Sequence, residues 1–164
     1  MPKRSAGLLL YRGADPASCQ VLLVHPGGPF WARRDLGAWT VPKGEYGPEE
    51  DPLAAAEREF AEETGIAAPG GPRHDLGELR QRGGKLTRLW AVAGDLDVAL
   101  VRSNSFTMQW PPRSGETAEF PEVDRAGWFV LAEARQRLLA SLEPFLDRLV
   151  TVLGGDVPPR GHGG

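Results

Sequence analysis

The sequence contains a single cysteine, Cys19, among its 164 residues. One thiol excludes an internal disulfide framework and a zinc site built from several cysteines. Long apolar runs are also missing, since runs such as residues 8–11 and 21–24 comprise only four residues each. Neither approaches the roughly 20 apolar residues that a membrane-spanning helix requires. We therefore expect neither disulfide bonds nor a membrane as a partner.

The first eleven residues lack the features of an export signal. Two basic residues precede a short apolar stretch, and Arg12 follows that stretch directly. A secretory signal peptide needs a longer apolar segment and a cleavage site made of small residues. We therefore expect a cytoplasmic protein.

Basic residues are not in excess, since 19 Lys and Arg face 22 Asp and Glu and the net charge is −3. Proteins that bind nucleic acid without sequence preference are usually basic, so we do not expect DNA binding. The charges are nevertheless segregated along the chain. Residues 45–63 hold eight acidic side chains and only one basic residue, whereas residues 80–88 hold four basic side chains and no acid. This separation indicates a possible cation site and a possible anion site. The sequence leaves the oligomeric state open.

Alternating short apolar runs and turn residues predict a layered α/β (α+β) fold in one domain over residues 1–153. The tail, residues 154–164, is rich in Gly and Pro and is expected to be disordered. Strands are predicted over residues 5–11, 20–24, 39–42, 76–82, 85–92 and 126–130, and helices over residues 52–64, 131–140 and 143–153.

Two connections of this chain carry distinct turn signals. Gly83-Gly84 predicts a two-residue hairpin turn, which pairs Arg82 with Lys85 and Arg80 with Thr87. Residues 104–124 contain two prolines and a glycine in their middle, which predicts a long irregular loop. Loops of that length in compact domains are often functional.

The helix over residues 52–64 has clear ends and an acidic side. Asp51 can cap the free amides, Pro52 suits the first position, and Gly65 follows the last turn. At about 100° per residue, the carboxylates of Glu59, Glu62 and Glu63 fall within a fan of about 100°. Such a cluster is either a solvated acidic face or a site for a hard divalent cation such as Mg²⁺ or Mn²⁺.

The sequence around this helix decides between the two interpretations. Gly44 is followed by five residues and Glu50, and seven more residues lead to Arg58-Glu59-Phe60-Ala61-Glu62-Glu63-Thr64-Gly65-Ile66. This segment resembles the Nudix box at all nine of its specified positions. With average residue usage, a chance match in a chain of this length has odds on the order of 10⁻⁷.

The resemblance to the Nudix hydrolase family implies a fold, an activity and a cofactor. The fold would be an α/β/α sandwich with a mixed sheet between helices. The activity would be hydrolysis of a nucleoside diphosphate linked to another moiety, with Mg²⁺, or Mn²⁺ in its place, as the cofactor. The implied metal ligands are the Gly44 carbonyl and the carboxylates of Glu59, Glu62 and Glu63. Arg58 would orient a box carboxylate through paired hydrogen bonds, and Glu50 would tie the preceding loop to the helix.

The general base is less uniform in the family, and four glutamates are candidates. Glu62 lies in the box, whereas Glu116, Glu119 and Glu122 lie in the segment predicted as a long loop. Glu122 stands six residues before Trp128, a spacing that resembles a loop glutamate of the dinucleoside-polyphosphate branch. We take Glu122 as the preferred candidate, and its alternative is a solvated loop residue.

Polyphosphate binding would require positive charge near the acidic helix. The predicted two-residue turn places Arg80, Arg82 and Lys85 on one face of the hairpin, and Lys43 precedes the box. These four residues are the candidate substrate-binding residues. An ordinary exposed sheet face is the competing interpretation of the hairpin.

Two segments outside the box indicate a branch of the family. The segment Trp39-Thr40-Val41-Pro42-Lys43-Gly44, and Ala126-Gly127-Trp128-Phe129 followed by Glu133-Ala134, resemble the dinucleoside-polyphosphate hydrolases. One position departs from that branch, because Glu45 stands where many of those enzymes carry His. A nucleotide sugar or a damaged nucleoside triphosphate is the alternative substrate, and a non-catalytic nucleotide-binding module is the alternative function.

Overall fold

The computed structural model describes residues 2–154, and the rest of the predicted tail, residues 155–164, lies outside the described residues. None of the helices within residues 2–154 has both the length and the apolar character needed to cross a membrane. In chain order the elements are β1 (Arg4–Arg12), β2 (Gln20–Pro26), β3 (Lys43–Tyr46), α1 (Pro52–Thr64), β4 (Arg73–Arg80), β5 (Leu86–Ala93), β6 (Ser105–Gln109), β7 (Thr117–Pro121), β8 (Val123–Val130), α2 (Leu131–Arg137) and α3 (Pro144–Val152).

Strand β1 organises a mixed sheet of six strands in the order β4-β5-β1-β2-β8. β5 runs parallel to β1, with Leu8 opposite Trp90, and β4 pairs antiparallel with β5 at the sheet edge. The other side of β1 is divided between two antiparallel partners. β3 pairs with its first residues, Arg4–Gly7, whereas β2 pairs with its last residues, Tyr11 and Arg12. The beginning of β1 is thereby the place where β3 brings the start of the box into the sheet.

Helices cover both faces of this sheet because side chains alternate along β1. Leu8 and Leu10 lie in an apolar cluster with Ala55, Ala56 and Phe60 of α1. On the opposite face, the cluster is formed with α2 and α3 and comprises, among others, Leu9, Tyr11, Val21, Leu23, Ala134, Phe145, Leu146 and Leu149. The expected α/β/α sandwich with a mixed sheet is therefore confirmed.

Helix α1 has the predicted bounds, and both ends are built as the sequence indicates. The Asp51 side chain accepts a hydrogen bond from the amide of Ala54, and Pro52 occupies the first helical position. Gly65 ends the helix in the left-handed conformation at φ 72°, and its amide donates to Ala61. A Cβ at position 65 would stand 2.5 Å from the carbonyl oxygen of Arg102, so a side chain is excluded there.

Two predicted elements are wrong for one common reason. Residues 39–42 do not form a strand, because only isolated bridges join Thr40 to Val24 and Trp39 to Leu138. The predicted helix over residues 131–140 ends instead at Arg137. The Trp39 amide donates to the Arg137 carbonyl, and the Leu139 amide donates to the Trp39 carbonyl. This long-range exchange of hydrogen bonds takes residues 138 and 139 out of the helix.

The hairpin between β4 and β5 has a different register from the predicted one. Arg80 pairs with Leu86 rather than with Thr87, and the Gln81 amide donates to the Lys85 carbonyl at 2.6 Å. Three residues, 82–84, therefore form the turn, in which both glycines have positive φ. Arg82 belongs to the turn and not to a strand face, which removes the predicted basis for a shared basic face.

The segment predicted as an irregular loop contains regular structure. Strands β6 and β7 form a separate antiparallel ribbon over residues 105–121, with Phe106 paired to Phe120. Its turn holds the prolines that suggested a loop. The ribbon ends at Pro121, and β8 begins at Val123, so Glu122 lies at the junction between the two sheets.

Candidate active site

Helix α1 presents its acidic side toward the start of β3. Its apolar residues Ala55, Ala56 and Phe60 are fully buried, which fixes the rotation of the helix about its axis. Glu59 then lies against Gly44, with only 13% of its side chain exposed. A Cβ on residue 44 would stand 2.1–2.4 Å from the Glu59 carboxylate group, so only glycine fits between β3 and this carboxylate.

Arg58 holds the beginning of this arrangement together. Its guanidinium makes paired hydrogen bonds of 2.9 and 3.0 Å with Glu50, which ties the loop before α1 to the helix as expected. A third bond of 2.8 Å goes to Glu59, and weaker contacts of 3.3 Å reach Glu62. The paired bonds of Arg58 are therefore made with Glu50, whereas Glu59 on the acidic side of α1 receives a single good bond.

Glu63 lies at the buried end of the acidic side. Its carboxylate accepts a hydrogen bond of 3.2 Å from the backbone amide of Lys43. Burial raises the pKa of the Glu63 carboxyl to about 8, and the charges of Glu59 and Glu122 add to this effect against the opposing influence of Lys43. A desolvated carboxylate beside like charges gains strongly from a bound cation.

Lys43 lies beside these carboxylates, and Lys85 lies near Lys43. Burial and the neighbouring charge of Lys85 lower the pKa of the Lys43 ammonium group, while Glu63, Glu45 and Glu59 oppose this shift. Lys85 forms a 3.1 Å ion pair with Glu45, which also lies 4.0 Å from Lys3. Glu45 thus connects the basic hairpin to β3, the strand that leads into the box.

The two hairpin arginines are placed differently from the lysines. Arg80 and Arg82 are exposed, and with Lys3 and Lys85 they line a surface cavity at the hairpin end. Arg80 contacts the Gly84 carbonyl at 3.5 Å within the same turn. The structure places Lys43 beside the acidic side of α1 and Lys85 near Lys43, and it leaves Arg80 and Arg82 at the outer end of the hairpin.

Among the predicted loop glutamates, Glu122 lies near the carboxylates of α1. The pKa of its carboxyl is raised first by burial and then by the charges of Glu59 and Glu62. Glu116 lies at the turn of the ribbon, where its carbonyl accepts from the Trp110 amide, and Glu119 is exposed on β7. Within residues 2–154, neither Glu116 nor Glu119 makes a hydrogen bond, ion pair or charge interaction with α1.

The donor set suits a hard cation in kind. The carboxylate oxygens of Glu59, Glu62 and Glu63, with the Gly44 carbonyl, are ligands that Mg²⁺ prefers. Within residues 2–154 no three Asp, Glu, His or Cys side chains converge on one point as they stand, and Arg58 bonds to both Glu59 and Glu62. Two observations fit a cation here. The Glu59 carboxylate lies so close to Gly44 that no side chain fits between them, and the Glu63 carboxylate is desolvated.

Sequence analysis did not indicate a role for one buried histidine near the site. No residue stands at a spacing from it that is typical of a metal or catalytic site. His25 is fully buried in β2, and both of its ring nitrogens are hydrogen-bonded. One of them binds Asp124, two residues after Glu122. A register shift between β2 and β8 brings these residues together, and no local sequence signal indicates such a shift.

Comparison with known proteins identifies the family. The NUDIX domain model matches residues 1–150 of this chain. None of the curated proteins matches the sequence.

Solved structures share the fold. An Ap4A hydrolase from C. elegans, solved as a binary complex, is similar with a TM-score of 0.61 and 23% identity, over 93% of this chain and 98% of that chain. The NUDIX domain of Shewanella oneidensis NrtR complexed with ADP ribose has a TM-score of 0.61 and 18% identity, over 93% and 89% of the two chains. A MutT protein from Methanosarcina mazei has a TM-score of 0.59 and 21% identity, over 92% and 95%. With the family match and the complete box motif, this chain belongs to the NUDIX domain family and is a Nudix hydrolase.

Proposed function

We propose that this Nudix hydrolase cleaves a phosphoanhydride bond of a dinucleoside polyphosphate in a Mg²⁺-dependent reaction. The observation that carries the proposal is the set of four carboxylates formed by Glu59, Glu62, Glu63 and Glu122, with Lys43 beside it. Like charges at this density destabilise the protein unless a cation binds them. A hydrolase of nucleotides uses such a cation together with the phosphates of its substrate.

The residues that would hold Mg²⁺ are Gly44, through its carbonyl oxygen, and the carboxylates of Glu59, Glu62 and Glu63. When bound, the cation would neutralise phosphate oxygens and lower the pKa of a coordinated water. Arg58 now bonds Glu59 and Glu62, and it would keep the Glu59 carboxylate oriented while remaining anchored on Glu50. Manganese would serve the same oxygen ligands.

Proton transfer and phosphate binding fall to neighbouring side chains. Glu122 would accept the proton of the attacking water, because its raised pKa brings a carboxylate closer to the range suited to a general base. Glu62 is the alternative base. Lys43 and Lys85 would bind the phosphates nearest the carboxylates, while Arg80 and Arg82 would reach a longer phosphate chain.

The choice of substrate rests on the sequence segments that flank the box and on the extended basic set. The similar C. elegans protein is an Ap4A hydrolase, and the similar NrtR domain binds ADP ribose. A basic row that extends from Lys43 through Lys85 to Arg80 suits a chain of several phosphates better than the two phosphates of a nucleotide sugar.

The cytoplasmic location and the single domain stay predictions.

A hydrolysis panel tests this proposal. Dinucleoside polyphosphates of three to six phosphates, ADP-ribose, a nucleotide sugar and oxidised nucleoside triphosphates would be incubated with the protein and Mg²⁺, Mn²⁺ or EDTA, and products separated by anion-exchange chromatography. We expect the highest kcat/KM with a dinucleoside polyphosphate, and no turnover in EDTA. Preference for ADP-ribose or an oxidised triphosphate would overturn the substrate, and tight binding without turnover would overturn the catalytic role.

A further inference from the structure

His25 is a fully buried polar side chain that the proposed mechanism does not use. Its Nε2 lies 2.6 Å from the carbonyl oxygen of Arg34, and its Nδ1 lies 2.8 Å from Oδ1 of Asp124. The ring of Trp39 packs edge-on against the imidazole at 5.2 Å between centroids. One side chain thus joins β2, the loop that carries Arg34, and the beginning of β8.

The two partners determine where the ring carries hydrogen. A backbone carbonyl oxygen only accepts, so Nε2 donates to Arg34. Asp124 keeps 30% of its side chain exposed, and its carboxylate lies between the imidazole of His25 and the guanidinium of Arg125, which is 3.6 Å away. His25 and Asp124 therefore form a side-chain hydrogen bond of 2.8 Å that links β2 to the beginning of β8.

Asp124 reaches His25 because the strand pairing is interrupted. His25 pairs with Arg125, but the next residue, Pro26, pairs with Val123, so Asp124 is an extra residue in β8. Such a bulge changes the direction of a side chain and bends the strand, and bulges are frequent beside active sites. Here the bulge lies two residues from Glu122.

A chain of backbone hydrogen bonds links this bulge to the acidic helix. The Gly27 amide donates to the Glu122 carbonyl at 3.0 Å, the Glu122 amide donates to the Asn104 carbonyl at 2.8 Å, and the Asn104 amide donates to the Glu62 carbonyl at 3.1 Å. The approach at Gly27 is so close that a Cβ there would stand 1.9 Å from the Pro121 carbonyl oxygen. The backbone of Glu122 is held on one side by the His25 strand and on the other, through Asn104, by α1.

We propose that His25 and Asp124 are positioning residues, whose hydrogen bond holds the β8 bulge in the geometry that directs Glu122 toward the carboxylates of α1. This inference rests on the proposed function, because it assigns the pair a role through Glu122 as general base. The pair acts on the placement of the base and leaves the phosphate-binding lysines untouched. Its loss therefore lowers kcat with little change in KM.

The test is a double-mutant cycle between Asp124→Asn and Glu122→Gln at a fixed pH. Asp124 is partly exposed, so the Asn variant keeps its shape and is expected to fold. We expect Asp124→Asn to lower kcat about tenfold with KM within about twofold, and Glu122→Gln to lower it about a hundredfold. In the double variant, kcat should equal that of Glu122→Gln, because a misplaced Gln has no base function left to lose.

Two further comparisons separate positioning from general support. Asp95→Asn is the matched control, because Asp95 lies in the loop after β5 and accepts a 2.8 Å hydrogen bond from Arg12. This variant should leave kcat unchanged. At residue 25, Asn keeps a donor near the Nδ1 position and Gln keeps one near Nε2. We expect His25→Asn to retain most of kcat and His25→Gln to resemble Asp124→Asn.

The outcomes are separable. Two results would overturn the positioning role alone. One is an impaired Glu122→Gln variant together with a fully active Asp124→Asn variant. The other is a tenfold loss of kcat on adding Asp124→Asn to the Glu122→Gln variant. A fully active Glu122→Gln would overturn both the base and its positioning residues, while Mg²⁺-dependent hydrolysis itself would stand. A wild-type protein with no hydrolysis of any panel substrate would overturn the proposed function.

Discussion

Glu62 has the least protein contact of the three carboxylates on the acidic side of α1, since its side chain is 39% exposed and its bonds to Arg58 are 3.3 Å long. Replacing it by Gln removes a negative charge from a repulsive cluster while keeping its shape. We expect Glu62→Gln to fold with unchanged or increased thermal stability in EDTA and to lose roughly 10²-fold or more of kcat. Circular dichroism and steady-state kinetics measure the two effects. Full activity in the folded variant would remove the box carboxylates from the mechanism.

The burial of Glu63 predicts a pH dependence for the stability of the metal-free protein. Its pKa is raised to about 8 in the folded state, from about 4.5 when exposed, so the folded protein binds the extra proton between these values. Its contribution to stability is therefore complete below about pH 4.5 and is lost as the pH rises to about 8. Denaturant unfolding in EDTA should show Glu63→Gln more stable than wild type at pH 8 by on the order of 3 kcal/mol, and equal to it near pH 4.5.

A matched control for this prediction is Glu49→Gln, because Glu49 is an exposed residue of the loop before α1. Its stability curve should run parallel to that of the wild type across the same pH range. If Glu63→Gln and wild type also ran parallel, the Glu63 carboxylate would be solvated, and the desolvated cation site would lose its main support.

Among the elements, α1 carries the site and depends on its caps. The Asp51 side chain satisfies the Ala54 amide, which is otherwise left without a partner at the helix start. We expect Asp51→Ala to lower the free energy of unfolding by about 1 kcal/mol, and Asp51→Asn to have a smaller effect since Asn also caps. Urea unfolding followed by circular dichroism measures the difference. Equal losses in both variants would show that charge, and not the cap, matters at this position.

Replacing two arginines of the β4–β5 hairpin tests whether its outer end contacts the substrate phosphates. Arg80 and Arg82 lie at its outer end, beyond Lys85, so they can contact only the more distant phosphates of a long substrate. We expect the double replacement by Ala to raise KM more for longer dinucleoside polyphosphates than for shorter ones, with kcat maintained. Added salt should reduce the difference, because both arginines are exposed. An equal KM for every chain length would show that this end of the hairpin is only solvated.

At the scale of the whole molecule, cation binding and folding are linked. Mg²⁺ would bind the carboxylates gathered by the folded chain and not the unfolded chain, so it should raise the Tm. The increase should shrink as the pH is lowered, since Glu63 holds a proton below about pH 8 and must release it to bind the cation. Differential scanning fluorimetry with millimolar Mg²⁺, using Glu62→Gln as the control, measures this linkage. No shift, with or without nucleotide, would support a solvated acidic face.

The local features of this protein follow from its sequence. Helix α1 begins after Asp51 and ends before Gly65 as predicted, because caps, proline and glycine act on the adjacent turn. The spacing from Gly44 to Ile66 was sufficient to identify the family, and the 100° rotation of a helix was sufficient to place three carboxylates on one side. These properties depend on residues within a few positions of one another.

The rest was decided by backbone and side-chain hydrogen bonds that the sequence patterns do not indicate. The Arg137 carbonyl and the Leu139 amide bond with Trp39, about one hundred positions away, and the β6–β7 ribbon forms although its turn carries loop-forming prolines. The hairpin register follows the bond between Gln81 and Lys85 rather than the glycine pair alone. The His25–Asp124 pair depends on a bulge in β8, which no local pattern indicates. The bonds of Trp39 and of the His25–Asp124 pair join segments about one hundred positions apart, so they form only when the main sheet assembles, and only the tertiary structure specifies them.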